Sequence, residues 1–344
     1  MKIEFNPEYF GKLREYIEDP QVTDVNYDGN IVWIDDLIKG KYASNVLLTK
    51  SFIQQFCTRI ANIVSSNFNK SDPILEAETD TLRISIIHES VANNGTAISI
   101  RKTPATCRLT AKMMRETQYC SEEILAFLID CVKGHLNIMF CGLPGSGKTE
   151  LLKYLTRFIP REEKVITIED NLEIHYAQIN PSHHCVELKV NDEVLSHKAA
   201  IKVSLRQNAE WILLSEARSV EVRQLIEAFS TGLHGLTTLH TDDVRKIPDR
   251  ILNMIQDSYL ANRMENDIYS FINIGVLIRK VTENGRTRRY IDQICIFNRE
   301  NQKNECIMVV DEGSLLEYKI PENIHRKMKL YHVPLRREMS EKCM

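Results

Sequence analysis

Residues 136–150 read LNIMFCGLPGSGKTE. Leu136 to Cys141 is an apolar run of strand length, Gly142 to Thr149 matches G-x-x-x-x-G-K-[ST], and Leu151, Leu152, Leu155, Phe158 and Ile159 follow at helical spacing. Strand, glycine loop and amphipathic helix in that order are the context in which this motif cradles phosphates. Gly142, Gly145 and Gly147 let backbone amides turn inward, and the helix start adds positive potential. Lys148 is expected to reach the outer phosphates of a nucleotide and Thr149 to hold magnesium. Pro144, Ser146 and Glu150 complete the expected nucleotide-binding stretch.

Downstream, three more short apolar runs end in polar residues. Val165 to Ile168 runs into Glu169, Asp170 and Glu173, which places carboxylates at the edge where ligands of open parallel sheets bind. Glu169 and Asp170 are candidates to hold magnesium, directly or through water, and such acids can also orient an attacking water. Trp211 to Leu214 ends in Ser215-Glu216-Ala217-Arg218, an apolar strand finishing in an acid as the Walker B arrangement requires, so Glu216 is a further metal candidate. The stretch TGLHGLTTLH, residues 231–240, puts His240 at the end of a fourth strand. The repeated alternation of strand and helix from 121 to about 298 predicts an α/β domain, a mostly parallel sheet with helices on both faces.

Upstream, residues 1–103 read as a smaller α+β domain. Asn6-Pro7 starts a capped helix, and Val22 to Tyr27 and Ile31 to Asp35 form strands around Asp28-Gly29, a tight hairpin pair. A helix carries Phe52, Ile53, Phe56, Ile60, Ile63 and Val64, and a second strand pair spans Leu82 to Ile87 and Ala97 to Lys102. Thr103-Pro104 opens a polar stretch without strong period, so 104–120 is expected to be a linker. Another hairpin is expected across Asn284-Gly285, and residues 299–344 read as a C-terminal extension with a hairpin around Asp311-Glu312-Gly313.

The 344 residues carry a formal net charge of -3 with both signs interspersed, which offers no basic field for a nucleic-acid backbone. Nine scattered cysteines, none in C-x-x-C spacing, suit free thiols in a reducing compartment and no zinc site. His183, His184 and Cys185 are adjacent in extended chain and so face opposite sides, which speaks against a shared metal. The N-terminus lacks a secretory apolar segment, and no apolar run approaches the roughly 20 residues that span a bilayer. A cytoplasmic protein is expected, peripheral at the membrane through a partner.

Taken in order, GLPGSGKT, TIEDNLE, LRQNAEWILLSEAR and TGLHGLTTLHT resemble the four marks of the secretion ATPase superfamily, the motors of type II and type IV secretion and of type IV and Tad pili. The N-terminal unit, with Ile98-Ser-Ile-Arg-Lys102, resembles that of the conjugation-type and Tad branch; the likeness covers about residues 7–297. The resemblance implies a RecA-type P-loop ATPase domain using ATP and Mg2+, a homo-hexameric ring with nucleotide between the N- and C-terminal domains, and a membrane-embedded secretion or pilus platform as partner. It implies Glu173 as the base that activates water, Glu216 as the Walker B glutamate and His240 as the second histidine of the histidine box. It also implies an N-terminal-domain arginine, Arg101, near the outer phosphate and catalytic arginines around Walker B at Arg206 and Arg218, for which a planar, always-charged fork is suited.

The chain departs from the family pattern at Ser215 and Ser219, where glycines are usual, at Ala209-Glu210 in place of Pro-Asp, and at His234, to which the first histidine of the box is displaced. Phosphate binding is untouched by these changes, which fall instead on the features tied to turnover rate and to the histidine relay. Two other functions share the same sheet and loop: an ATP-binding switch with little turnover, and a RecA-type nucleic-acid motor, which the balanced charge disfavours.

Overall fold

The computed structural model describes residues 5–191, 193–219, 221–255, 258–283 and 285–334, with the backbone alone for 258–263. These residues fall into two compact units: one runs to Ala105 and takes in Val281–Arg288, and the other comprises Thr106–Lys280 and the residues from Arg289 onward.

In the first unit the Asn6 side chain accepts from the Glu8 amide at 2.9 Å and Pro7 stands at the first helical position, so the chain enters through the 3-10 turn Pro7–Leu13. Six strands follow: β1 Val22–Tyr27, β2 Val32–Asp36, β3 Gly40–Ala43, β4 Ile74–Glu78, β5 Leu82–Ile87 and β6 Ala97–Lys102. They pair antiparallel in the order β3-β2-β1-β6-β5-β4. One sheet face is apolar, and the helix Lys50–Val64, capped by Thr49, buries Ile53, Phe56 and Ile60 in the same core as Val25, Ile34, Ile84 and Ile100. The expected tight pair at Asp28-Gly29 is instead a longer connection, Asp28 to Ile31. Only Gly29 is left-handed, with φ 100°, and the Asp28 carboxylate accepts from the amides of Asn30 and Ile31 at 2.9 and 2.8 Å. A short acid that caps the backbone this way removes the need for a two-residue turn.

In the second unit nine strands form one sheet: β7 Ile138–Cys141, β8 Val165–Glu169, β9 Cys185–Lys189, β10 Trp211–Leu214, β11 His234–Leu239, β12 Ile274–Glu283, β13 Arg286–Glu300, β14 Lys303–Asp311 and β15 Ser314–Leu315. Their order is β15-β14-β13-β12-β7-β11-β10-β8-β9, parallel from β12 to β9 and antiparallel from β13 to β15. Every residue of β7, β8 and β10 is buried, because both faces are covered. Ile138, Phe140, Val165, Trp211 and Leu213 enter one core, and the alternate residues Met139, Cys141, Ile166, Ile168, Ile212 and Leu214 enter the other. This is the sheet with helices on both faces that the alternation predicts.

The stretch expected to be a linker is packed. Thr110 caps a helix at Ala111–Glu116, and Leu109, Met114 and Tyr119 are buried in the core of the second unit. Three apolar side chains spread over eleven residues are too sparse to register as a period, yet each finds a place in a core built by residues far along the chain. The expected C-terminal extension is likewise part of the sheet: β14 pairs with β13, β15 returns beside β14 across Glu312-Gly313, and the helix Glu322–Leu330 buries Ile324 and Met328. Asn284 of the expected Asn284-Gly285 turn lies outside the described residues, as do residues 335–344; the strands either side of the turn, β12 and β13, are neighbours.

Candidate nucleotide site

Four parallel strands converge on the site. β7 runs into the glycine loop, and the ladder pairs Cys141 with Leu239, Thr237 with Leu214, and Leu214 with Ile168. Whatever follows β7, β8, β10 and β11 therefore leaves the sheet at one edge.

The loop is shaped by glycine where nothing else fits. Gly142 has φ 146°, and a Cβ there would lie 2.4 Å from the Ile278 carbonyl oxygen and 2.6 Å from Ser146 Oγ. Ser146 is 1% exposed and its Oγ has no hydrogen-bond partner, a buried polar oxygen of the kind that a ligand or water satisfies. Lys148 Nζ lies 3.0 Å from the Gly142 carbonyl and 3.4 Å from that of Leu143. Burial pushes its amine down to about 8, with Glu216 and Glu173 pulling the other way, so it remains mostly protonated at neutral pH. Thr149, at the start of the helix Lys148–Thr156, sets its hydroxyl 3.4 Å from Glu173 Oε2. An orphaned hydroxyl, a buried cation and a helix N-terminus suit a polyphosphate, and the Thr149 hydroxyl beside a carboxylate suits a hard cation such as magnesium.

Glu216, Arg218, Asp170 and His240 form a chain of charges beside the loop. Glu216 Oε2 pairs with Arg218 Nη2 at 2.9 Å and Oε1 with His240 Nε2 at 3.1 Å, while Arg218 Nη1 reaches Asp170 Oδ2 at 3.1 Å. His240 Nδ1 is 3.3 Å from Lys148 Nζ and 3.2 Å from the Gly142 carbonyl. A neutral ring with its proton on Nε2 accepts from Lys148 and donates to Glu216. The other tautomer would satisfy Gly142 alone and turn a lone pair on the carboxylate. Burial, then the Lys148 charge, hold the imidazole below its ordinary value, which favours the neutral form.

Other sequence candidates are placed differently. Glu150 turns toward Arg108, accepting from its amide at 2.9 Å, and lies 3.5 Å from Lys153 Nζ. Glu169 is fully buried and Oε2 accepts from the amides of Glu173 and Ile174, both at 2.9 Å, so it fixes the acidic loop from inside. Asp170 is held by Arg218 and by His197 at 3.2 Å. Arg206 stands exposed in the last turn of the helix His197–Arg206 and, among the described residues, shares no bond with the cluster. Arg101 belongs to the first unit and pairs with Asp24 at 2.8 Å. Pro144 is exposed on the loop. Among the described residues no three or more His, Cys, Asp or Glu side chains group as a metal cage, so magnesium here would need phosphate oxygens to complete its shell.

His234 starts β11, so the six-residue strand separates it from His240. It sits with His135, Trp211 and Tyr331, ring centroids 4.7, 5.4 and 6.0 Å away, and burial pushes its imidazole down to about 3. Sequence reasoning missed Arg289, whose Nε donates to the Gly145 carbonyl at 3.0 Å. The basic run Arg286-Thr-Arg-Arg289 was the available signal, but a contact 144 residues distant has no local signature.

Residues 74–332 match the family model for type II/IV secretion system proteins. An uncharacterized protein of Bacillus anthracis is 29% identical over 282 residues, 79% of this chain and 62% of that protein, so the match spans less than two thirds of that relative's length. The type IV secretion system protein VirB11 of Brucella suis is 26% identical over 321 residues, 82% of this chain and 87% of the relative. In fold, the chain is similar to the crystallographic ATPase DotB of Legionella pneumophila, with a TM-score of 0.62 at 19% identity over 86% of this chain and 82% of that one.

Proposed function

Because this chain belongs to the family of type II/IV secretion system proteins, we propose that it is an ATPase whose turnover powers a type IV secretion, conjugation or Tad-like pilus machine. The relatives named for type IV secretion and for ATPase activity support the reading. The observation that carries it is the meeting of Lys148, Thr149, Glu173, Glu216 and His240 around a glycine loop that holds an orphaned Ser146 hydroxyl. The working form is a ring of six copies, cytoplasmic and docked on a membrane-embedded platform protein; among the described residues no helix is long and apolar enough to cross a membrane.

Lys148 and the loop amides bind the phosphates of ATP, and Ser146 Oγ gains its missing partner there. Thr149 holds the magnesium ion, which when bound neutralises charge on the outer phosphates. Glu173 orients a water and takes its proton, and Thr149 keeps its carboxylate beside the loop. Glu216 accepts from His240 Nε2 and so aims Nδ1 at Lys148, while burial and the Lys148 charge favour the neutral ring, so a change at the phosphates reaches the end of β11. Arg218 is assigned to charge developing on the outer phosphate, as are Arg101 and Arg206 in the assembled ring.

Phosphate release and Mg-ATP binding, measured together, test this. Wild type releases phosphate, Glu216→Gln binds ATP but loses at least about a hundredfold in release, and Lys148→Ala loses binding. Wild type that binds ATP and releases none would leave a nucleotide switch in place of a motor.

A further inference from the structure

The glycine loop is touched from outside the converging strands by β12 and β13. Arg289 Nε donates to the Gly145 carbonyl at 3.0 Å, and its stem lies beside the loop, where a Cβ on Gly147 would make ordinary contact with Arg289 Cδ at 3.7 Å. From β12, Lys280 Nζ stands 3.6 Å from where a Gly145 Cβ would be. Arg289 is rigidly based. Two residues along, the Ile291 amide donates to the Tyr119 carbonyl at 2.9 Å, and next to it Oδ2 of buried Asp292 accepts from Arg279 Nη2 and Nε at 2.6 and 2.7 Å.

A peptide unit is planar and trans, so the Gly145 carbonyl and the Ser146 N–H point in opposite directions. Gly145 has φ 73° and no side chain to choose between the two orientations of that plane. The bond from Arg289 holds one of them: with the carbonyl drawn toward β13, the Ser146 N–H points the other way, where it donates to the Leu143 carbonyl at 3.2 Å, a bond it can exchange for a phosphate oxygen. The side chain of the same residue carries the buried, unpartnered Oγ.

We propose that Arg289 is a positioning residue of the phosphate loop, setting the Gly145–Ser146 peptide so that the Ser146 amide faces a bound nucleoside di- or triphosphate. This rests on the nucleotide reading above, and the arms of the test separate the two. Calorimetric titration of Mg-ATP and of Mg-ADP is carried out on the full chain with wild type, Arg289→Ala, Arg289→Met, Arg289→Lys and Lys148→Ala, with melting temperatures recorded without nucleotide. Arg289→Ala and Arg289→Met weaken both nucleotides by about tenfold, the scale of one charge-assisted hydrogen bond, while melting stays within about 2 °C of wild type. Arg289→Lys, which restores a cationic donor, recovers part of the loss. Arg289→Met keeps the stem over Gly147, so it carries the test if truncation to alanine unfolds the protein. Wild-type affinity in a folded Arg289→Met overturns the assignment, and so does a loss that follows the melting temperature with no recovery in Arg289→Lys. If instead wild type fails to bind Mg-ATP, or Lys148→Ala binds as well as wild type, it is the nucleotide reading that falls.

Discussion

At the scale of single residues the acidic loop after β8 shows what burial does to equal-looking side chains. Glu169, Asp170 and Glu173 are three carboxylates within five positions, and only their surroundings separate them. Asp170 is ion-paired and Glu173 stands by Thr149. Glu169 is sealed in, with Oε1 lacking a partner. Desolvation raises its carboxyl to about 7 even though two amide hydrogen bonds act in the opposite sense. A raised acid binds its proton more tightly in the native state than in the unfolded chain. Its stabilising contribution is therefore complete below about 4.5 and is lost as pH rises through about 7. Glu169→Gln removes this titration and keeps a carbonyl oxygen for the two amides. Wild type is expected to lose on the order of 1–3 kcal/mol relative to the variant between pH 5 and pH 8, read from urea melts. A difference independent of pH would refute the assignment of a protonated, structural Glu169.

At the scale of elements β11 joins two different polar clusters. Its six residues at roughly 3.3 Å each place His234 and His240 on the order of 20 Å apart. Both residues occur in one short glycine-rich run, and only the direction of the strand assigns His240 to the loop. At the other end of the sheet Glu163 accepts from His135 Nε2 at 2.8 Å and from Trp211 Nε1 at 2.6 Å, and the His135 ring stacks on Tyr331 at 3.6 Å. Tyr331 directly follows the helix Glu322–Leu330, so the cluster clasps the C-terminal helix. His234 inside it is held neutral, its imidazole depressed to about 3 by burial ahead of the Lys327 charge. The unfolded chain takes a proton near 6.5 and the native state does not. The stability this group leaves intact above about 6.5 is thus lost as pH falls toward 3. His234→Phe should flatten the acid side of the melting curve, with wild type losing roughly 1–2 kcal/mol more than the variant from pH 7 to pH 5. Equal losses in the two proteins would show that other groups set the acid limit.

At the scale of the whole molecule the chain visits the first unit twice. Residues 281–288, between Lys280 and Arg289, are grouped with the N-terminal unit, and the Thr287 amide donates there to the Ile38 carbonyl at 2.8 Å. Native-state hydrogen exchange should find the Thr287 amide opening together with β2 and β3; exchange in step with β7 and β11 would contradict that grouping. Several features were fully legible in the sequence because they rest on local rules. The glycine spacing of 142–147, the apolar runs of β7, β8, β10 and β11, and the acids and histidine that end them specify a parallel sheet with a phosphate loop at one edge. The same local rules cannot say which way a side chain turns once both faces are covered. Glu150 turned to Arg108, His234 consigned to the far edge, 104–120 folded into a core and Arg289 brought to Gly145 are all settled by partners tens to more than a hundred residues away. Burial and hydrogen bonding depend on what surrounds a group in space, which only the packed molecule determines.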